Sequence, residues 1–439
     1  MNLLKRMPTL LLALLFVIAA NAQNQMNLQE AIQFASSNSS AIRQARINIA
    51  DAEGQIIENR ALGIPQIGFT AEYTYFTDIP ASVAPAEFFG GPPGEFAKLQ
   101  FGLPQSFNAG LNLNWLAIDG SYFYGLKAAR LFRDYRQNEL TAAEKNVKDK
   151  VVEAYLPVLV LTENLRIIDK NIATTQKLLD DTRAIYQEGF VESLDVTRLE
   201  LSLANLVTEK GNLSRQIEAA LNILKFSMNY PINQPLAITD SLENLYQQLD
   251  AAILTEQLDF QNQPQHLVAL KGIELNQLNE KRYKSTYYPS LSVFGSYQQS
   301  WQGEAFDRGL WFPTSLIGVR LNAPLFDGFL NKGRIQRAKL ATELAQVQLE
   351  DLERGMSLDV QNSKTNLVNA QERLKNQSYA LELADDVYSA AIIKYQEGVG
   401  SSIELTQAEQ LLYDTQRNRI QAMYDVLTAQ MALAKALGK

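Results

Sequence analysis

Two carboxylates stand in matched settings. Asp195 follows Tyr186-Gln187-Glu188-Gly189 and lies within Ser193-Leu194-Asp195-Val196-Thr197. Glu404 follows Tyr395-Gln396-Glu397-Gly398 and lies within Ser402-Ile403-Glu404-Leu405-Thr406, 209 positions later. Each acid falls in the first turn of a helix that follows a glycine turn, where the helix dipole favours a carboxylate by about 0.3–1 kcal/mol, and Ser401 to Glu404 has the spacing of a capping box. Repeated around a symmetry axis, such acids would also form a ring of like charge that draws cations and repels anions at a narrow mouth. Helix capping and ion filtering both fit the two acids.

The remaining residue types argue against catalysis. The chain has no cysteine, which excludes disulfides, thiolate metal sites and a cysteine nucleophile. Its one histidine, His266, falls on a helical stretch where packing is the ordinary role. Asp119 and Asp327 each precede a glycine in a turn, and Gly90-Gly91-Pro92-Pro93-Gly94 lacks the strand-to-helix context and lysine of a phosphate loop. No enzyme chemistry, metal or cofactor is expected.

The ends and the charge narrow the setting. Lys5 and Arg6 lead an apolar run from Leu10 to Ala20, and Ala20-Asn21-Ala22 has the form of a signal cleavage site, so residues 1–22 read as a secretory signal. Losing those two cations moves the formal charge from −8 to −10, which argues against a nucleic-acid partner. Beyond the signal no stretch approaches the ~18–20 apolar residues of a membrane helix, so any membrane span must be β.

The elements that position Asp195 and Glu404 are themselves duplicated. Trp115-Leu116-Ala117-Ile118-Asp119-Gly120 matches Ala323-Pro324-Leu325-Phe326-Asp327-Gly328, and Pro65 matches Pro289. The chain therefore divides into the signal (1–22), a first repeat (23–229), a linker with short helices (230–263) and a second repeat (264–439). Each repeat reads as helix, strand, loop, strand and long helical hairpin. From Ser121 to Gly189, apolar or small residues recur at four-three spacing, as at Val147, Val151, Ala154, Val158, Leu161, Leu165, Ile168, Ile172, Thr175, Leu179 and Thr182. At about 1.5 Å per residue such a helix spans ~100 Å. Pro157 should bend or break it locally. The returning helices are expected over 193–228 and 402–437.

Four segments switch to a period of two. Ile67, Phe69, Ala71, Tyr73 and Tyr75 alternate with small and polar residues, as do Phe107 to Trp115, Leu291 to Tyr297 and Ile317 to Ala323. Tyr73, Tyr75, Trp115, Trp301, Trp311 and Phe312 sit at strand ends, as an aromatic girdle requires. The segment from Thr77 to Ser106 is rich in Pro and Gly and reads as a surface loop. Four strands cannot close in lipid, and the smallest bacterial barrels have eight, so at least two chains must share a barrel.

The signal, the tandem repeat, the Pro-Leu-Phe-Asp-Gly strand end and the hairpins turning at Tyr-x-x-Gly together resemble the TolC family of outer membrane efflux proteins over essentially the whole mature chain. The resemblance implies a mainly α chain with a small transmembrane β part. Three copies would build a 12-stranded β-barrel in the outer membrane and a long α-helical barrel crossing the periplasm. It implies a passive exit duct, seated in outer membrane lipid, for a tripartite efflux pump or type I secretion system. A periplasmic adaptor would dock at the tips (Gly189, Phe190, Val191, Gly398, Val399 and Gly400), and an inner membrane pump would supply energy. Glu404 takes the place of an acidic selectivity ring, with Gln407 where some members carry a second acid. Asp195 takes the place of a gate-latching acid and Tyr395 that of its tyrosine partner, while Gly400 stands where that latch has an arginine. A soluble periplasmic coiled-coil scaffold is the rival reading; it accounts for the helices and leaves the girdled strands unexplained.

Overall fold

A computed structural model describes residues 24–305 and 307–439, so the expected signal lies outside it. The first repeat runs through β1 (Asn24–Met26), α1 (Leu28–Asn38), α2 (Ser40–Ala61), β2 (Gln66–Tyr75), β3 (Ala81–Pro85), β4 (Phe96–Gln100), β5 (Gln105–Ile118), α3 (Gly120–Gln187) and α4 (Ser193–Met228). After β6 (Leu236–Ile238) and α5 (Leu242–Gln247), the second repeat supplies α6 (Pro264–Ser285), β7 (Ser290–Ala305), β8 (Arg308–Asn322), α7 (Leu330–Gln396) and α8 (Ser402–Leu437). The chain divides into two compact units.

One unit comprises Ile49–Arg136 and Ala269–Val347 and contains a four-stranded antiparallel sheet in the order β2-β5-β7-β8. The period-two pattern dictates its two faces. Ile67, Leu113, Gly295 and Ile317 share one row across the strands, and Thr70, Gly110, Gln298 and Thr314 share a row of the opposite face. Asn112 donates from Nδ2 to Thr70 Oγ1 at 3.0 Å on that polar face. Among the described residues β2 and β8 each pair on one side only, and both are exposed along almost their whole length. The loop between the first two strands is more structured than its composition suggests, because β3 and β4 form a small hairpin joined through a 3-10 turn at Ala86–Phe89.

The other unit holds the chain up to Asn48, Gln137–Val268 and Gln348–Lys439. The four-three seam of α3 is its core: Val151, Val158, Ile168, Thr175, Leu179 and Thr182 are all buried. The helix runs unbroken through Pro157, contrary to the local break that proline suggests. Its neighbours Tyr155, Leu156, Val158 and Leu159 are fully packed, so tertiary burial holds the turn despite the one missing backbone hydrogen bond.

The linker is tied to that point. β6 pairs in parallel with β1, and Asp240 just beyond it accepts two hydrogen bonds at Oδ2, from Leu28 N at 2.7 Å and from the buried Tyr155 hydroxyl at 2.9 Å. Burial, followed by the Asp240 contact, pushes the Tyr155 phenol well above its usual value. Asp240→Ala would leave Leu28 N unpaired and the Tyr155 hydroxyl with only its longer bond to the Met26 carbonyl at 3.2 Å, a cost of about 1–3 kcal/mol. We expect it to lower the thermal midpoint of the detergent-solubilised protein, with Asp240→Asn lowering it less because an acceptor oxygen remains; equal and negligible shifts would contradict this role.

Candidate functional site

The aromatic residues of the sheet form a defined row. Tyr73 pairs with Phe107, Phe107 with Trp301 and Trp301 with Trp311, one residue on each of the four strands and all on the apolar face. Phe107 and Trp311 meet edge to face, with centroids 6.0 Å apart. Tyr75 lies beyond Tyr73 on the same face and is exposed. Trp301 is only 3% exposed, because its indole lies over Gly303 and Gly309. Trp115 stands toward the opposite end of that face, and its Nε1 donates to the Gly63 carbonyl at 3.1 Å. Phe312 departs from the expected girdle: it pairs with Ser300 on the opposite, polar face, since strand alternation separates it from Trp311.

At the hairpin tips, α3 and α7 end on glycines in the left-handed region, Gly189 at φ +81° and Gly398 at φ +75°. Only glycine enters that conformation without cost. Gly189 N donates to the Tyr186 carbonyl and Phe190 N to that of Ile185, while Gly398 N and Val399 N donate to the carbonyls of Tyr395 and Lys394. The turns thus satisfy the free carbonyls of the helix ends and push Phe190 (82% exposed) and Val399 (80% exposed) outward. Val191 is half-buried. Gly400 packs tightly under the second turn, where an added Cβ would lie 3.0 Å from Lys394 Cβ and Tyr395 N, so a side chain there would have to displace its neighbours by a few tenths of an ångström.

Asp195 and Glu404 occupy matched positions and have different partners. Asp195 Oδ2 accepts from Glu192 N at 3.3 Å, and its Oδ1 accepts from the Ser402 hydroxyl of the second hairpin. Arg198 donates from Nη1 to Ser402 Oγ at 2.8 Å and stands 3.8 Å from Asp195. Ser402 is buried, so this triad stitches α4 to α8. Ser401 caps the helix, its Oγ accepting from Glu404 N at 3.2 Å, but the capping box its spacing suggests is half formed, because the exposed Glu404 carboxylate pairs instead with Lys394 Nζ at 3.1 Å. Gln407 is exposed one turn further on.

Tyr395 is not bonded to Asp195 within the chain. Its hydroxyl donates to Thr182 Oγ1 at 3.4 Å, inside a cluster with Leu178, Leu179, Leu199, Leu405 and Ala408. Burial, with Asp195 nearby, raises its phenol above the usual value. A residue the sequence did not single out, Glu409, accepts from the hydroxyls of Thr175 on α3 and Ser202 on α4, the latter at 3.1 Å. Its place one step from the α8 seam was the only available signal. Beside it, burial and then the Glu409 charge push Tyr388 up to about 12. His266 is buried away from the tips, with Nε2 2.8 Å from Glu353 Oε1 and its ring stacked on Phe260. Among the described residues no His, Cys, Asp and Glu cluster could hold a metal ion.

The family model for outer membrane efflux proteins matches residues 31–230 and 260–439. The outer membrane protein TolC of Vibrio cholerae is 23% identical over 396 residues, covering 87% of this chain and 84% of the relative. The pyoverdine export outer membrane protein OpmQ of Pseudomonas aeruginosa is 24% identical, covering 76% and 70%. In fold, the chain is similar to the Vibrio cholerae outer membrane protein VceC (TM-score 0.71, 18% identity, 94% and 96% covered). It is also similar to the open state of the Neisseria gonorrhoeae MtrE outer membrane channel (TM-score 0.73, 18% identity, 94% and 89% covered).

Ser402→Ala removes the group that Asp195 and Arg198 share. A loss of about 1–2 kcal/mol should speed amide exchange in the adjoining turns roughly tenfold; unchanged exchange would show that the triad holds nothing. Tyr388 supplies a pH signature. Its folded value is raised above the ordinary ~10, so its contribution is complete below about pH 10 and is lost as pH climbs toward the folded value. Tyr388→Phe should therefore flatten the fall in stability above pH 10 and leave stability at neutral pH nearly unchanged.

Proposed function

The chain belongs to the outer membrane efflux protein family, whose members are passive exit ducts of the outer membrane that reach into the periplasm, and from that premise we propose how this one is assembled and gated. Three copies each contribute β2, β5, β7 and β8 to one barrel. The observation that carries this reading is the pair of open sheet borders: among the described residues β2 and β8 have no partner on their outer sides, in a sheet whose apolar face carries exposed Ile67, Phe69, Ile317 and Val319. Lipid offers no hydrogen bonds to such borders, so another copy must. The aromatic row Tyr73, Phe107, Trp301 and Trp311 marks one rim of the lipid band, and Trp115 the other.

The tips form the periplasmic mouth. Phe190 and Val399, held outward by Gly189 and Gly398, offer small apolar knobs to a periplasmic adaptor, through which an inner membrane pump drives transport. The duct itself makes and breaks no bond. Asp195, Ser402 and Arg198 hold the two hairpins together, with Arg198 on the first hairpin supplying the cation that Gly400 cannot. Tyr395 acts as a packed wedge behind this triad. Glu404 with Gln407 lines the mouth, where Lys394 offsets part of the charge that each copy contributes.

Single-channel recording in planar bilayers tests the mouth directly. Glu404→Gln is expected to lower the preference for cations, and Lys394→Gln to raise it, because each removes one member of the same pair. If both variants keep wild-type selectivity, these residues do not line the narrowest passage.

A further inference from the structure

β8 breaks the alternation that the other three strands keep. On the face opposite the aromatic row, β2, β5 and β7 present mainly hydroxyls and amides, as at Thr70, Thr74, Asn108, Asn112, Gln298 and Ser300. On that same face β8 presents Leu310, Phe312 and Leu316, which are 76%, 40% and 49% exposed. Its other face carries Trp311, Ile317 and Val319, so this one strand is apolar on both sides. A strand of that kind is ordinarily covered on both.

The neighbouring strand lengthens the apolar track. Gly318 leaves β8 bare at its next position, and a Cβ added there would lie 2.5 Å from the Phe294 ring, so that ring reaches across from β7 and fills the place. Arg320 ends the track, with its guanidinium carbon 5.0 Å from the centroid of the Phe294 ring. From Leu310 to Gly318 the strand rises about 27 Å, close to the depth of a hydrocarbon layer. Thr314 is the one polar residue of β8 on this face between those two. Charge is almost absent beside it: among the described residues, the rows from Leu310 to Arg320 carry Glu72 and Arg320 alone, one of each sign.

We propose that this track is a transient contact site for cargo inside the barrel, and that it takes uncharged amphipathic molecules. Their aromatic or alkyl body rides on Leu310, Phe312, Leu316 and Phe294, while their hydroxyl or amide groups bond to the flanking strands. The inference rests on the shared-barrel reading, which turns the aromatic row toward lipid and this face toward the passage. Each track then lies between β7 of its own copy and β2 of the next, so apolar and polar lanes alternate around the wall. A molecule with both kinds of surface takes its apolar body out of water on such a wall and keeps its polar groups paired. A small inorganic ion gains nothing from it, because the lanes offer no net charge.

The absence of cysteine in the wild-type chain allows the two faces to be told apart. Leu316→Cys should react with a water-soluble methanethiosulfonate in outer membranes, and Ile317→Cys, one residue further on and facing lipid, should not. In planar bilayers carrying the wild-type channel, para-nitrophenyl maltoside should cause brief interruptions of the current that maltose at the same concentration does not cause. Phe312→Ser combined with Leu316→Ser should shorten those interruptions roughly tenfold and leave ion selectivity unchanged. If L316C is labelled but the two sugars give the same record, or the serine variant keeps the wild-type interruptions, the cargo track is overturned and the duct stands. If neither cysteine variant is labelled, protein covers the track and the proposal alone falls. Labelling of I317C in place of L316C would reverse the two faces and overturn the shared-barrel reading as well.

Discussion

A backbone N–H or C=O that faces hydrocarbon without a partner costs several kcal/mol, and a four-stranded sheet has two full borders of them. That constraint organises the molecule. One chain of this length cannot bend β2, β5, β7 and β8 into a closed wall, so the sheet can enter a membrane only as a share of a larger ring. The exposed apolar face and the unpaired edge strands are the same incompleteness seen in two features. Each would be a defect in a monomer and is a docking surface in an oligomer.

The two matched stretches place their acids in different surroundings. Asp195 and Glu404 begin equivalent helices after equivalent glycine turns. One carboxylate is drawn into a bond with Ser402 of the opposite hairpin and the other stays out beside Lys394. A single difference in surroundings thus ties one acid across the two hairpins and leaves the other exposed. Gly400 sits close against Lys394 and Tyr395, where an added Cβ would be a tight fit, and the cation beside Asp195 is Arg198, one turn beyond it.

Long-period features were legible in the sequence because many residues repeat the same instruction. The returning helices occupy Ser193–Met228 and Ser402–Leu437 as their seams indicate, and four alternating segments became the four strands of the sheet. Short or distant pairings were not legible. β1 and β6 have three residues each and meet across more than two hundred positions, and β3 with β4 lies in a segment whose prolines and glycines read as loop. Pro157 does not break the helix because its penalty is local, whereas the burial of Tyr155, Leu156 and Val158 that offsets it is tertiary. At the tips, the position of Asp195 could be read and its partners could not, since Ser402 and Arg198 are brought to it only by hairpin packing. Phe312 was grouped with Trp311 by nearness in sequence, though alternation sends the two to opposite faces.

The account depends on shared borders, and the mass of the assembly tests them most directly. Native mass spectrometry of the full chain, extracted from outer membranes in mild detergent, should give three copies that persist on dilution and lose solubility when detergent is withdrawn. A single copy that remains folded and soluble in plain buffer would contradict it.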